Sequence, residues 1–198
     1  MALISHDYRD FETIRREFRW NVPERYNMAR QVCDRHQGIA GEAAVFYENA
    51  AGERRTWTFG DLITLSNRLA NALAHLGVVK GDRVGIVLPQ RIETGLAHIA
   101  IHKLGAVSLP LSVLFGPDAI EYRLSDSGAK AVITSGRHVE MIQDIKSRLP
   151  ALETIVGCDD SAADAAFWPM LEQASERFDM VDTLADDPAL LIYTSGTT

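Results

Sequence analysis

The residues whose types and spacing hold the most chemistry are the last six. Tyr193, Thr194, Ser195, Gly196, Thr197 and Thr198 follow the apolar run Ala189, Leu190, Leu191 and Ile192 directly. Hydroxyls crowded around one glycine suit an anion, because glycine lets the backbone come close while amide and hydroxyl groups donate to it. A strand that empties into such a loop at the carboxyl end of a parallel sheet stands where phosphate-bearing ligands collect. The spacing is not that of a Walker loop, since neither GxxxxGKS nor GxxxxGKT occurs in the chain. On spacing alone, a polyphosphate cradle and a plain Ser/Thr tail are both open readings.

Other constellations carry less. His98 and His102 stand one helical turn apart, but Ile99 occupies the place where HExxH has glutamate and no third ligand is indicated. They read as a helix face rather than a metal site. No GxSxG elbow surrounds Ser195, which argues against a hydrolase nucleophile, and no GxGxxG marks a dinucleotide fold. Asp159 and Asp160, like Asp186 and Asp187, are adjacent and so cannot share a face in a strand. Asp187 followed by Pro188 reads as a turn into the last strand, not as half of an acid/base dyad. Cys33 and Cys158 lack any CxxC or Cys/His spacing and read as two reduced thiols.

The elements that must position the terminal loop follow from apolar periodicity. Residues 7–19 place Phe11, Ile14 and Phe18 on one helical stripe with interleaved acids and arginines, and Pro23 breaks the pattern before a short helix through Met28 and Cys33. The acids cancel the field that an RNA-binding arm would require. Residues 44–47 and 55–58 flank a turn at 49–52 and read as a β-hairpin. Thr58, with Asp61 three residues on, reads as a helix N-cap ahead of Leu62, Leu65, Leu69, Leu73 and Leu76, and Gly77 as the left-handed cap that ends the helix. Strands at 84–89, 106–111, 129–134, 154–157 and 189–194 then alternate with helices at 92–104, 117–127, 138–149 and 167–174. Such alternation predicts an α/β fold, a mostly parallel sheet with helices on its faces. No internal repeat is evident.

Composition narrows the partners. The 198 residues, 46% of them hydrophobic, suffice for a buried core. A formal charge of −7, concentrated between Asp159 and Asp187, speaks against nucleic acid and anionic lipid. The opening residues have acids and arginines where a signal peptide has an apolar centre, and no apolar run approaches the roughly 20 residues of a membrane span. A cytoplasmic location is expected.

At the terminal segment the sequence resembles a known family. Residues 193–198, YTSGTT, look like the first half of the phosphate loop YTSGTTGxPKG of the adenylate-forming superfamily, which includes acyl-CoA synthetases, luciferases and peptide-synthetase adenylation domains. The resemblance extends upstream in order and separation through LSNRLANALAHLGVVKGDRVGIVLPQ at 65–90, HKLGAVSLPLS at 102–112 and YRLSDSGAKAVIT at 122–134. LFGPDAIEYRLSDSG at 114–128 and RYNMARQVCDRH at 25–36 are most similar to synthetases of short- and medium-chain fatty acids.

The resemblance implies the amino-terminal part of that family's large domain, incomplete over 38–198 and preceded by a helical arm at 1–37. It implies ATP, Mg²⁺ and CoA as cofactors of the parent protein and a small carboxylic acid as substrate. Thr194, Ser195, Gly196, Thr197 and Thr198 would contact the β- and γ-phosphates. The loop lysine and the family's catalytic residues have no counterpart in the chain, so no catalytic residue is carried over and the chain alone is expected to be inactive. The alternatives are a binding or regulatory module that pairs through its last strand, an aryl-CoA ligase, or a peptide-synthetase adenylation domain.

Overall fold

Local signals decide where the elements begin, as a computed structural model describing residues 10–159 and 162–194 makes plain. Asp10 caps α1 (Phe11–Glu17) by accepting the Thr13 N–H at 2.8 Å, and none of the helix's residues is buried. Asn27 caps α2 (Met28–Val32), which passes into a 3-10 turn over Asp34–Ile39. The hairpin pairs β1 (Ala43–Glu48) with β2 (Arg54–Thr58), antiparallel as expected. Thr58 then starts α3 (Phe59–His75) through a reciprocal capping box: its hydroxyl accepts the Asp61 N–H at 3.1 Å, and the Asp61 carboxylate accepts the Thr58 N–H at 2.9 Å.

The remaining chain winds a five-stranded sheet. In sequence order come β3 (Arg83–Val87), α4 (Ile92–Lys103), β4 (Val107–Pro110), α5 (Pro117–Ser127), β5 (Ala131–Thr134), α6 (Arg137–Ile145), β6 (Thr154–Gly157), β7 (Ala165–Ala166) and α7 (Phe167–Gln173). All neighbours are parallel in the spatial order β4-β3-β5-β6-β7, so the β3–β4 crossover runs one way and the β4–β5 crossover runs back past β3 the other way. Carboxyl ends beside such a reversal are the usual ligand edge of an open α/β sheet.

Both faces are covered, as a parallel sheet requires. Val84, Ile86, Ala131, Ile133 and Val156 pack with α3, α4 and α7 on one face. Val87, Leu109, Val132 and Ile155 pack with α5 and α6 on the other. Gly85 is tied to that second face: a Cβ there would lie 3.0 Å from both Leu124 and Val132, so its lack of a side chain lets α5 approach the sheet. Gly128 adopts φ 59°, the left-handed cap expected at the end of α5.

Three details depart from the sequence reading. The helix expected over 138–149 is α6 followed by a 3-10 turn at Lys146–Arg148, and the two-residue strand β7 was not foreseen. The full strand expected at 189–194 is reduced to one parallel bridge between Leu190 and Ser108 on the outer edge of β4. Its brevity has a cause in β4. Val107 and Leu111 give their N–H groups to the carbonyls of Asp82, just before β3, and Ile86, within it, so Ser108 and Pro110 face the terminal segment, and proline has no N–H to continue the ladder.

Candidate anion-binding site

The terminal segment is aimed by few bonds. Ser108 N–H donates to the Ala189 carbonyl at 3.0 Å, and Leu191 N–H donates to the Ser108 carbonyl at 3.0 Å. Because the bridge is parallel, the described segment runs toward the same edge of the sheet as the loops following β3, β4, β5 and β6. Side chains alternate as in a strand: Leu191 and Tyr193 pack on the α5–α6 side, while Leu190 and Ile192 are exposed. Of the five predicted phosphate contacts, Thr194 is described and is exposed at that edge. Ser195, Gly196, Thr197 and Thr198 lie outside the described residues.

Side chains pin the segment on both sides of the bridge. At its start, Nε2 of His102 lies 3.0 Å from the Ala189 carbonyl oxygen and 3.1 Å from Ser108 Oγ, which is also 3.1 Å from Nδ1 of His98. A carbonyl only accepts, so His102 carries its proton on Nε2, and the Ser108 hydroxyl is left to donate to His98. Burial holds both imidazoles below the ordinary histidine range, which keeps this arrangement neutral. The back of His102 is fixed too: its carbonyl accepts from Asn27 Nδ2 at 2.8 Å, and the same amide reaches Val181 O at 3.2 Å.

Beyond the bridge, Tyr193 rests on α5. Its hydroxyl donates to Asp126, its ring meets Tyr122 edge-on at 6.2 Å, and the Arg123 guanidinium lies 5.6 Å from the ring centre. Burial, reinforced by the Asp126 carboxylate, pushes its phenol up to about 12, so it remains a donor. Ser108, Asn27 and Asp126 escaped the sequence reading. A lone serine in the apolar run AVSLPL, opposite two histidines one turn apart, was the available signal.

The other sequence candidates are absorbed by structure. Asp187 accepts the Leu184 N–H at 2.8 Å and pairs with Lys80 at 2.7 Å, so it closes the turn before Pro188. Asp159 pairs with Arg91 at 3.0 Å; Asp160 lies outside the described residues. Cys33 and Cys158 are buried and free, and burial raises both thiols, Cys33 to about 11. Among the described residues no group of three or more His, Cys, Asp or Glu side chains can hold a metal ion.

A separate groove of about 780 Å³ opens between the hairpin and the loop after β3. Arg91 closes its floor with bidentate bonds to buried Glu93 at 2.7 and 2.8 Å, and Trp168 Nε1 donates to the same carboxylate at 3.0 Å. No described residue of the terminal segment lines that groove.

Sequence comparison now decides the family. The AMP-binding enzyme family matches residues 33–198. The chain belongs to the AMP-binding enzyme family. It is 32% identical over 198 residues to the mitochondrial acyl-coenzyme A synthetase ACSM4 of Rattus norvegicus, covering 96% of this chain and 34% of that protein. It is 32% identical to a 3-hydroxypropionyl-coenzyme A synthetase of Sulfurisphaera tokodaii, covering 91% and 30% respectively. The fold is similar to that of the anthranilate CoA ligase AuaEII solved with anthranoyl-AMP, with TM-score 0.82 and 28% identity over 90% of this chain and 34% of that one. This AMP-binding enzyme chain thus spans about a third of the length of the curated relatives it matches. No helix among its described residues is long and apolar enough to cross a membrane.

Proposed function

We propose that the protein carrying this chain is an acyl-CoA ligase, and that residues 194–198 bind the β- and γ-phosphates of ATP. The observation that supports the reading is the parallel Ser108–Leu190 bridge, which directs the chain up to Thr194 toward the carboxyl edge of the sheet. Attack of a carboxylate on the α-phosphorus brings two anions together, so the barrier falls chiefly through charge neutralisation and alignment. Amide and hydroxyl donors of the loop would hold the departing pyrophosphate, giving an acyl-adenylate whose acyl group passes to the CoA thiol. Similarity to ACSM4 and to the 3-hydroxypropionyl-CoA synthetase supports a short- or medium-chain acid. Similarity to an anthranilate CoA ligase favours, as second reading, an aromatic acid.

Mg²⁺ belongs to this reading as charge carrier for the triphosphate, but the described residues offer no cluster to ligate it, and no step is assigned through it. A cytoplasmic location is part of the proposal, supported by the two free buried thiols. So is a boundary near residue 37 between the helical arm and the large domain.

The experiment, on the whole protein that carries this chain, is ATP–pyrophosphate exchange driven by a panel of fatty and aromatic acids, followed by CoA thioester detection. Exchange with straight-chain acids and thioester on adding CoA is expected. Exchange with aromatic acids alone would select the second reading, and none with any carboxylate would refute both.

A further inference from the structure

We propose that His102, acting through Ser108 and the Ala189 carbonyl, is a positioning residue that holds against β4 the segment entering the phosphate loop. The inference rests on the phosphate-loop reading above, and no contact between His102 and nucleotide is invoked. Its ground is how little else holds that segment. Pro110 stops the ladder, so two backbone bonds join the segment to β4, both through Ser108. A strand held so briefly specifies its register weakly, and a slip of one residue turns every side chain to the other face. Such a slip would expose Leu191 and Tyr193 and misdirect Thr194.

The Ala189 carbonyl meets a second donor at the start of the bridge. Besides the Ser108 N–H at 3.0 Å, it faces His102 Nε2 at 3.0 Å, with Ser108 Oγ at 3.4 Å. The imidazole is itself immobilised: His102 is 8% exposed, its carbonyl accepts from Asn27, and Ser108 Oγ links its ring to that of His98. In the slipped register a neighbouring carbonyl would take the same place, so burial of Leu191 and Tyr193 chooses the register, while the His102 Nε2–H bond opposes detachment: release of the segment would leave a buried donor unpaired. Tyr193 on Asp126 supplies the second side-chain pin, beyond the bridge.

The test is amide hydrogen exchange in the nucleotide-free protein, comparing Leu191, bonded to Ser108 on one edge of β4, with Leu111, bonded to Ile86 on the other. His102→Leu should speed exchange at Leu191 about three- to tenfold, the worth of one net hydrogen bond, with Leu111 unchanged. His102→Gln, whose amide can reach the Nε2 position, should restore most of the protection; Ser108→Ala provides a second route if His102→Leu does not fold. Unchanged Leu191, or Leu191 and Leu111 rising together, would overturn the positioning role. ATP titration of the same proteins separates the two claims. If exchange follows the proposal and ATP affinity weakens in His102→Leu and recovers in His102→Gln, both stand. If exchange follows it and ATP affinity stays constant, the positioning role survives and the phosphate-loop reading fails.

Discussion

Helix α4 carries two polar clusters built on opposite principles. At its first turn, Arg91 is clamped between buried Glu93 and Asp159, full charges tying the loop after β3 to the loop after β6. Later in the same helix, His98 and His102 meet Ser108 as neutral groups and reach a backbone carbonyl. The charged cluster braces the scaffold, where a strong, long-lived tie is enough. The neutral cluster sits where the chain leaves the sheet, and there a directional donor holds the segment in place while a net charge beside an anion loop would alter the field the phosphates meet. Strength and direction are thus assigned to different places.

That contrast can be broken most easily at the charged end. Arg91→Ala leaves Glu93 as a buried, uncompensated carboxylate and should lower unfolding stability by about 3 kcal/mol in a urea titration. Replacing both partners by apolar residues, Arg91→Met with Glu93→Leu, should recover most of it. A loss below about 1 kcal/mol for the single change would mean the cluster braces nothing. Ser108→Ala comes next: about 1 kcal/mol, read by the same titration, because two imidazoles lose their shared partner while the backbone bridge remains. Thr58→Ala, remote from both clusters, should also cost about 1 kcal/mol through the lost helix cap, with no selective loosening at Leu191.

The smallest effect, and one that separates the clusters cleanly, is that of pH between 7 and 6. Both histidines have native pKa values depressed by burial, so the unfolded chain binds more protons as pH falls. Their contribution is intact above the unfolded value of about 6.5 and is lost progressively as pH drops toward the depressed native values. The Arg91 guanidinium is shifted upward and keeps its charge throughout. Carboxylates with lowered pKa, Asp61 and Asp164 among them, lose their contributions only as pH falls through the region below about 3.8. Denaturation midpoints should therefore slope between pH 7 and 6, and the slope should flatten in His98→Gln/His102→Gln.

Much of the scaffold was legible because its signals are local. Thr58 and Asp61 name their helix start, Gly77 and Gly128 their helix ends, and apolar runs such as VGIV and AVIT announce buried strands. The terminal segment was legible only as a pattern, since apolar alternation at 189–193 says "extended" without saying how many bonds will form. That number is set by Pro110, far away in sequence, through a missing N–H. The same distance hid the pins: Ser108 gains meaning only when β4 faces α4, and Asp126 only when Tyr193 lands on α5. His98 and His102 read as a helix face, yet their partner Ser108 lies across a strand and could not be inferred from their spacing.

The most direct test of the central claim is a titration with ATP followed by backbone amide resonances along the whole chain. Perturbations should begin at Thr194, run through Thr198, and be reversed by competing pyrophosphate. Perturbations centred on Arg54, Arg55 and Arg91 in the hairpin groove, with residues 194–198 unmoved, would contradict it.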